Sequence, residues 1–259
     1  MHKRHRIQFP CIDVKKVNQD KAYFYLLESD KKKTIRFHDY NEIYLRQGLY
    51  EQLFYERLKC QSPQKVTEAL KYTIEQSKSN MTEFRVLDLG AGNGMMGESL
   101  KKYGVSRLVG VDIISEAQDA VERDRPGLYD DYYLYDFTKL YKPQKEELES
   151  WSFDCLTCVA ALGFGDIPPK AFFNALNVIS NDGWIALNIK ETFLYKSDKS
   201  GFSSLIRELI FSEYVDLYHL ERYCHRNSIE GNPLYYFAII GRKNSDIPKK
   251  FLESLETKA

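Results

Sequence analysis

The sequence predicts an α/β fold, a mostly parallel sheet with helices on both faces and an antiparallel hairpin closing one edge. Three observations carry this expectation. From Phe84 onward, short apolar runs alternate with helical stretches as far as residue 242. The run 153–161 is nearly continuous in apolar residues, the mark of a strand buried on both faces. Two longer extended runs, 215–223 and 234–240, flank the turn-rich Arg226-Asn-Ser-Ile-Glu-Gly-Asn-Pro233 and pair as a hairpin.

The elements follow in order. Phe84-Arg-Val-Leu-Asp-Leu89 is a strand that stops at Gly90-Ala-Gly-Asn-Gly94, and residues 95–103 form a helix ended by Gly104. Arg107-Leu-Val-Gly-Val-Asp112 is a second strand with a helix after it to about Glu122, and residues 132–135 are a short third strand. After the fourth strand, Pro168-Pro169 opens a helix that reaches Ile179 before the turn Asn181-Asp-Gly183. Residues 184–189 are the fifth strand, and 203–212 a helix before the hairpin. Residues 1–83 differ in kind. Runs 22–27 and 34–37 around a solvated Lys31-Lys-Lys33 turn suggest a hairpin, and 41–59 and 64–76 suggest helices with a break at Ser62-Pro63. We therefore divide the chain into a cap or lid (1–83), an α/β core (84–242) and a tail (243–259), the tail a surface helix or frayed.

The 259 residues carry 37 basic and 37 acidic side chains, which argues against a protein that wraps nucleic acid by bulk charge. The 19 Tyr and 15 Phe are high, and they either fill cores or wall an aromatic pocket. Five scattered cysteines, Cys11, Cys60, Cys155, Cys158 and Cys224, make no disulfide framework or zinc set. Cys155 and Cys158 read as packed thiols inside a strand. No stretch is apolar for long enough to span a membrane, and the basic N-terminus lacks a following apolar region. The expectation is a reduced, cytoplasmic protein.

The chemistry sits at the turn Asp88-Leu-Gly90-Ala-Gly92-Asn-Gly94. Glycines there let the backbone bend sharply and let a ligand approach the main chain, with unpaired N–H groups beyond at the helix start. The stretch Gly92-Asn-Gly94-Met-Met-Gly97 also satisfies GxGxxG, so a nicotinamide-dependent reductase is the rival reading. Asp88 decides against it. A carboxylate two residues before the first glycine suits a ligand end bearing an ammonium and sits badly beside a pyrophosphate. Asp112, closing the second strand, can accept from ribose hydroxyls in either reading. Asp136, in Tyr135-Asp-Phe137 after the third strand, can accept from an exocyclic amine while the aromatic packs on a purine. Three carboxylates at three consecutive strand ends suit an adenosine whose sugar carries an amino acid. The plainer alternative is three solvent-facing strand ends.

These residues resemble the motifs of the class I S-adenosylmethionine-dependent methyltransferases, with Val86-Leu-Asp-Leu-Gly-Ala-Gly-Asn-Gly94 as the first motif. Leu108-Val-Gly-Val-Asp112 and Tyr135-Asp-Phe137 fall where the second and third belong. The resemblance implies a Rossmann-like seven-stranded sheet of order 3-2-1-4-5-7-6 with strand 7 antiparallel, and S-adenosyl-L-methionine as cofactor. It implies that Asp88, Gly90, Ala91, Gly92 and Gly94 line the methionine part. Asp112 and Ile113 would hold ribose and adenine, Asp136 and Phe137 would contact adenine, and Val159 and Ala160 would lie under the sulfonium. Tyr44 and Tyr50, ahead of the first core strand, would close over the methionine end. Gly127-Leu-Tyr129 with Ala161-Leu-Gly-Phe-Gly-Asp-Ile-Pro168 is similar, more narrowly, to the Williams–Beuren-region methyltransferase and its bacterial relatives.

Departures bound the acceptor. Base N-methylating enzymes of DNA carry an Asn/Asp-Pro-Pro-aromatic turn where this chain has Val159-Ala-Ala-Leu-Gly-Phe164, so no DNA substrate is expected. No paired-glutamate loop marks a protein arginine methyltransferase, and no acid trio around the fourth strand marks a metal-dependent enzyme, so no metal is expected. The expected function is methyl transfer to a small-molecule acceptor. The alternatives are a protein or RNA acceptor and a catalytically silent cofactor-binding module. Alignment and desolvation supply much of such a transfer, and a hydroxyl or carbon acid also needs a base. Candidate catalytic residues are Glu191 at the end of the fifth strand, His225, and His38 in the cap. The bland reading of each is a surface, turn or packed side chain.

Overall fold

The computed structural model describes residues 4–10, 21–28 and 31–256; Cys11 lies outside them. The chain enters with a three-stranded antiparallel sheet of β1 (Arg6–Gln8), β2 (Tyr23–Glu28) and β3 (Lys31–Arg36). The expected solvated turn at Lys31–Lys33 is instead strand, because those three residues pair with Glu28, Leu27 and Leu26 while their side chains stay exposed. The continuous helix expected over 41–59 is two pieces, α1 (Tyr40–Tyr44) and a π-helix (Glu51–Arg57). Gly48, at φ +73°, separates them.

The core follows with α2 (Ser62–Gln76), β4 (Arg85–Leu89), α3 (Met95–Lys102), β5 (Arg107–Asp112), α4 (Ser115–Asp124) and β6 (Asp131–Leu134). After these come α5 (Lys142–Ser150), β7 (Cys155–Cys158), α6 (Pro169–Leu176), β8 (Trp184–Lys190) and α7 (Phe202–Phe211). The long hairpin β9 (Val215–Asn227) and β10 (Pro233–Lys243) precedes α8 (Lys249–Glu256). Helix α5 was invisible in the sequence because Leu148 is its only buried residue, too few for a period.

The sheet runs β6-β5-β4-β7-β8-β10-β9, parallel except that β10 is antiparallel to both neighbours. In core-strand terms this is the order 3-2-1-4-5-7-6 with strand 7 reversed. Alternate residues feed two cores. Val86, Leu108, Cys155, Trp184 and Ile240 join α2 and α3 on one face, while Leu87, Val109, Leu156, Ile185 and Ile239 join α6, α7 and α8 on the other. The two thiols of Cys155-Leu-Thr-Cys158 thus serve opposite faces. At ~1.5–3 kcal/mol for each fully buried large apolar side chain, Phe153, Phe172 and Phe202 are principal contributors to the second core.

The cap has its own core of Phe24, Leu26, Ile35, Phe37, Ile43, Leu53 and neighbours. It is stitched to the end of β9 by two backbone bonds, Gln61 N–H to His225 O (3.0 Å) and Asn227 N–H to Leu58 O (2.7 Å). Helix α2, which the sequence division put with the cap, packs on the sheet beside α3, and α8 returns Leu255 to the core. Among the described residues no helix is long and apolar enough to cross a membrane.

Candidate active site

Strands β4, β5 and β7 end side by side, and the order of connections reverses between β4 and β7, the place where ligands bind in open α/β sheets. A cavity of about 420 Å³ opens there. One wall is the glycine turn at 90–93 with residues 112–114, 136–138 and 159–161; the other is the cap, through His38, Tyr40, Tyr44, Tyr50 and Tyr55.

The turn wall is fixed by backbone. Gly90 (φ +71°) and Ala91 both donate to Val111 O, at 2.8 and 3.0 Å. Gly92 (φ +54°) donates to Asp112 Oδ2 at 2.9 Å, and Tyr132 OH donates to its carbonyl at 2.8 Å. A Cβ on Gly92 would lie 2.5 Å from the Tyr44 hydroxyl, so the cap approaches the turn as closely as only glycine allows. Asp112 also accepts from Ile113 N (2.8 Å) and Ile114 N (3.1 Å), yet burial still pushes its pKa up. Ile113 is 66% exposed and faces the cavity, an apolar side chain without cover. Asp136 spends Oδ1 on Thr138 N and Oγ1, bonds that hold its carboxyl below the usual range. Phe137 and Val159 are largely buried and contribute to the lining. Ala160 sits at φ +58°, held by donating its N–H to Asn188 Oδ1 at 2.6 Å.

Gly90, Ala91, Gly92, Asp112, Ile113, Asp136, Phe137, Val159, Ala160, Tyr44 and Tyr50 therefore meet at one cavity. Four candidates do not. Asp88 is 1% exposed and turned inward, accepting from Tyr129 OH (2.8 Å) and Thr157 Oγ1 (2.7 Å), and burial raises its pKa to about 6. It braces the turn from behind and does not line the cavity. Gly94 caps α3 at φ +89° and makes room for Leu128, since a Cβ would sit 2.6 Å from Leu128 Cδ2. Glu191 lies off the cavity, bound by Arg222 Nε at 2.7 Å. His225 is also off it, 5% exposed, with Nδ1 2.5 Å from Ser62 Oγ. Burial first, and the Arg226 charge second, push its pKa well below the ordinary histidine value. This neutral histidine is tied to Ser62, whose hydroxyl also meets Tyr223 OH and Asn188 Nδ2 in a buried network.

The third histidine is placed differently. His38 Nδ1 is 2.9 Å from Asp166 Oδ2, and both side chains line the cavity. Asp166, given no role in the sequence reading, ends Gly163-Phe-Gly-Asp166, where Gly163, Phe164 and Gly165 all have positive φ. A Cβ on Gly163 would lie 2.1 Å from the Phe193 ring, so this tight loop is what carries Asp166 to His38. Two glycines just ahead of the acid were the local sequence signal for it. Opposite, Glu51 Oε1 accepts from Asn93 Nδ2 and Arg125 Nη1, both at 2.8 Å, tying cap to turn. Among the described residues no group of three His, Cys, Asp or Glu side chains gathers as a metal site.

The family model described as a methyltransferase domain matches residues 87–187. No curated protein matches the chain. Among solved structures, a methyltransferase of Anabaena variabilis described as SAM-dependent is 14% identical at TM-score 0.53, covering 84% of this chain and 99% of that one. A putative RNA methyltransferase of Pyrococcus horikoshii is 12% identical at TM-score 0.52, covering 72% and 87%. The magnesium protoporphyrin IX methyltransferase of Synechocystis PCC 6803 with bound SAM is 13% identical at TM-score 0.50, covering 70% and 79%. Residues 87–187 are thus a methyltransferase domain seated on this strand order, with S-adenosylmethionine as its cofactor.

Proposed function

We propose that this enzyme methylates a small-molecule acceptor and that His38, oriented by Asp166, is its general base. The observation that carries the reading is the His38–Asp166 pair on the cap side of the cavity the glycine turn lines. With Nδ1–H donating to the Asp166 carboxylate, the other ring nitrogen, Nε2, is left bare to take a proton. The cap lays its tyrosines over the cavity, which suits an acceptor that can be enclosed rather than a long polymer.

The residues fit the cofactor. Asp112, pinned by three backbone N–H groups, presents a fixed carboxylate suited to ribose hydroxyls. Ile113 offers the uncovered apolar surface that an adenine ring would cover, and Asp136 Oδ2 is left for an exocyclic amine. The turn at 90–93, Val159 and Ala160 would face the methionine end, under Tyr44 and Tyr50. When bound, the cofactor supplies a methyl group already activated by a sulfonium. The chain's own work is to align the acceptor, exclude water with the cap rings, and receive the acceptor's proton at His38.

Incubation with methyl-labelled S-adenosylmethionine and a metabolite extract, read by mass spectrometry, identifies the acceptor. Against that acceptor His38→Ala lowers turnover by about 10²–10⁴-fold with little change in cofactor affinity. Turnover that survives His38→Ala removes the base assignment, and labelling of protein or RNA in place of a metabolite removes the small-molecule reading.

A further inference from the structure

Among the described residues two cations are buried, Lys243 and Arg226, and only Lys243 has a carboxylate partner. Lys243, 0% exposed, has Asp246 at 2.7 Å and the Ile179 carbonyl at 2.8 Å. Arg125 has Glu51 at 2.8 Å and Glu98 at 2.9 Å. Arg226, near the end of β9, is only 6% exposed. Among the described residues its contacts are one hydrogen bond, Nη1 to Asn227 O at 3.0 Å, and the faces of Phe37 and Phe54, with ring centres 5.4 and 5.9 Å away. Aromatic faces stabilise a guanidinium by ~0.5–2 kcal/mol, and no Arg226 nitrogen is both sealed from solvent and without a partner, so its remaining N–H groups stay reachable. Such a charge, with most of its donor fork unused, is built for an anion that arrives.

The position says which anion. Arg226 lines a side chamber of about 40 Å³ that shares His38, Tyr40, Tyr50, Ala160 and Asp166 with the main cavity. One water needs ~10–15 Å³ of such space, so the chamber admits a group of a few atoms and no ring. No second unpaired cation is offered there to a dianion, because His38 faces the Asp166 carboxylate. His225 is held neutral by burial, and Asp166 is engaged by His38. The remaining walls are largely aromatic, among them Phe54, Phe164 and Tyr236.

We propose that Arg226 anchors a carboxylate on the methyl acceptor, whose substrate class is therefore a small carboxylic acid with an apolar, ring-sized body. The carboxylate enters the side chamber, the body lies between the cap rings, and the reacting atom stays on the main-cavity side with His38. The inference rests on the methyltransferase reading with a small-molecule acceptor and deepens it.

The test takes the full chain saturated with S-adenosylhomocysteine and titrates it calorimetrically with benzoate, with its neutral isostere benzamide, and with inorganic phosphate. Benzoate is expected to bind about tenfold or more tighter than benzamide. Arg226→Gln should erase that preference while leaving S-adenosylhomocysteine affinity within about twofold. Arg226→Lys should keep part of it, because the charge stays and the fork is lost. If Arg226→Gln fails to fold, the wild-type benzoate–benzamide difference and the lysine variant still decide. Equal binding of benzoate and benzamide overturns the proposal, as does phosphate binding more tightly than benzoate. Loss of S-adenosylhomocysteine affinity in Arg226→Gln with benzoate unaffected assigns the arginine to the cofactor's own carboxylate, and also overturns it. A wild-type chain that binds no S-adenosylhomocysteine overturns the reading beneath the proposal, and the proposal with it.

Discussion

The two walls of the cavity are built on different length scales. In the turn wall, Gly92 meets Asp112 twenty residues along, and the bonds are mostly backbone N–H to a carbonyl or carboxylate. In the cap wall the decisive pair, His38 and Asp166, is separated by 128 residues, and Glu51–Asn93 by 42. A wall of backbone is set once two adjacent strands pair. A wall of side chains exists only after the cap core, the Gly163–Gly165 loop and the sheet have all formed. Damage to the first should therefore appear in cofactor affinity and local stability, and damage to the second in turnover.

The largest effect expected here tests what braces the turn wall. Asp88 holds Tyr129 and Thr157 beneath the glycines, and burial lifts its pKa from the ordinary value near 4 to about 6. A rise of that size corresponds to about 3 kcal/mol between its two protonation states. Between these two pKa values the native state binds more protons than the unfolded chain. Stability from this group is thus full below about pH 4 and declines as pH rises through 6. Asp88→Asn removes the decline, so urea unfolding of wild type and variant should show their difference moving by up to about 3 kcal/mol in the variant's favour from pH 4 to 7.5. A difference that stays constant across that window would show that Asp88 does not titrate there.

Next in size is Asp112. Asp112→Ala removes the acceptor of three backbone N–H groups and the carboxylate offered to the ribose. Affinity for S-adenosylhomocysteine should fall by about ten- to hundredfold, or ~1.5–3 kcal/mol, whereas His38→Ala should leave it nearly unchanged. Equal losses from the two variants, measured by calorimetry, would erase the distinction between the walls.

The same difference in length scale explains what the sequence disclosed. The strand–helix alternation, the glycine turn, Asp112 and Asp136 were legible because each rests on a local pattern of an apolar run, a turn and an acid at the strand end, whereas the strand order came through the resemblance those patterns carry. Asp88 was legible as important but not in its direction, because the alternation of a doubly buried strand does not say which carboxylates point inward. Glu191 and His225 look like bases on paper. Only the fold shows that Arg222 covers one and that Ser62, Tyr223 and Asn188 enclose the other's surroundings. His38 could be named from the sequence, but Asp166 could not be tied to it. No local rule connects a hairpin end to a loop after the fourth core strand. Helix α5 escaped for a related reason, since one buried leucine leaves no period to read.

The smallest effect isolates the ligand from the fold. Ile113 is 66% exposed at the end of β5, so truncating it removes almost no packing from the free protein. If an adenine ring covers it in the complex, the methyl and methylene groups lost in Ile113→Ala matter only there. Partial burial of three such groups, at ≈0.8 kcal/mol for each one fully buried, gives about 1 kcal/mol, or roughly fivefold weaker S-adenosylhomocysteine binding. The free enzyme should melt as wild type does, while the rise in melting temperature at fixed ligand concentration shrinks. Leu134 is the control, since it is 41% exposed on the adjoining strand β6 but does not line the cavity. Leu134→Ala should leave affinity unchanged. If both variants bind equally well, Ile113 is merely an exposed side chain, and the adenine end of the turn wall is held by Asp112 and Asp136 without it.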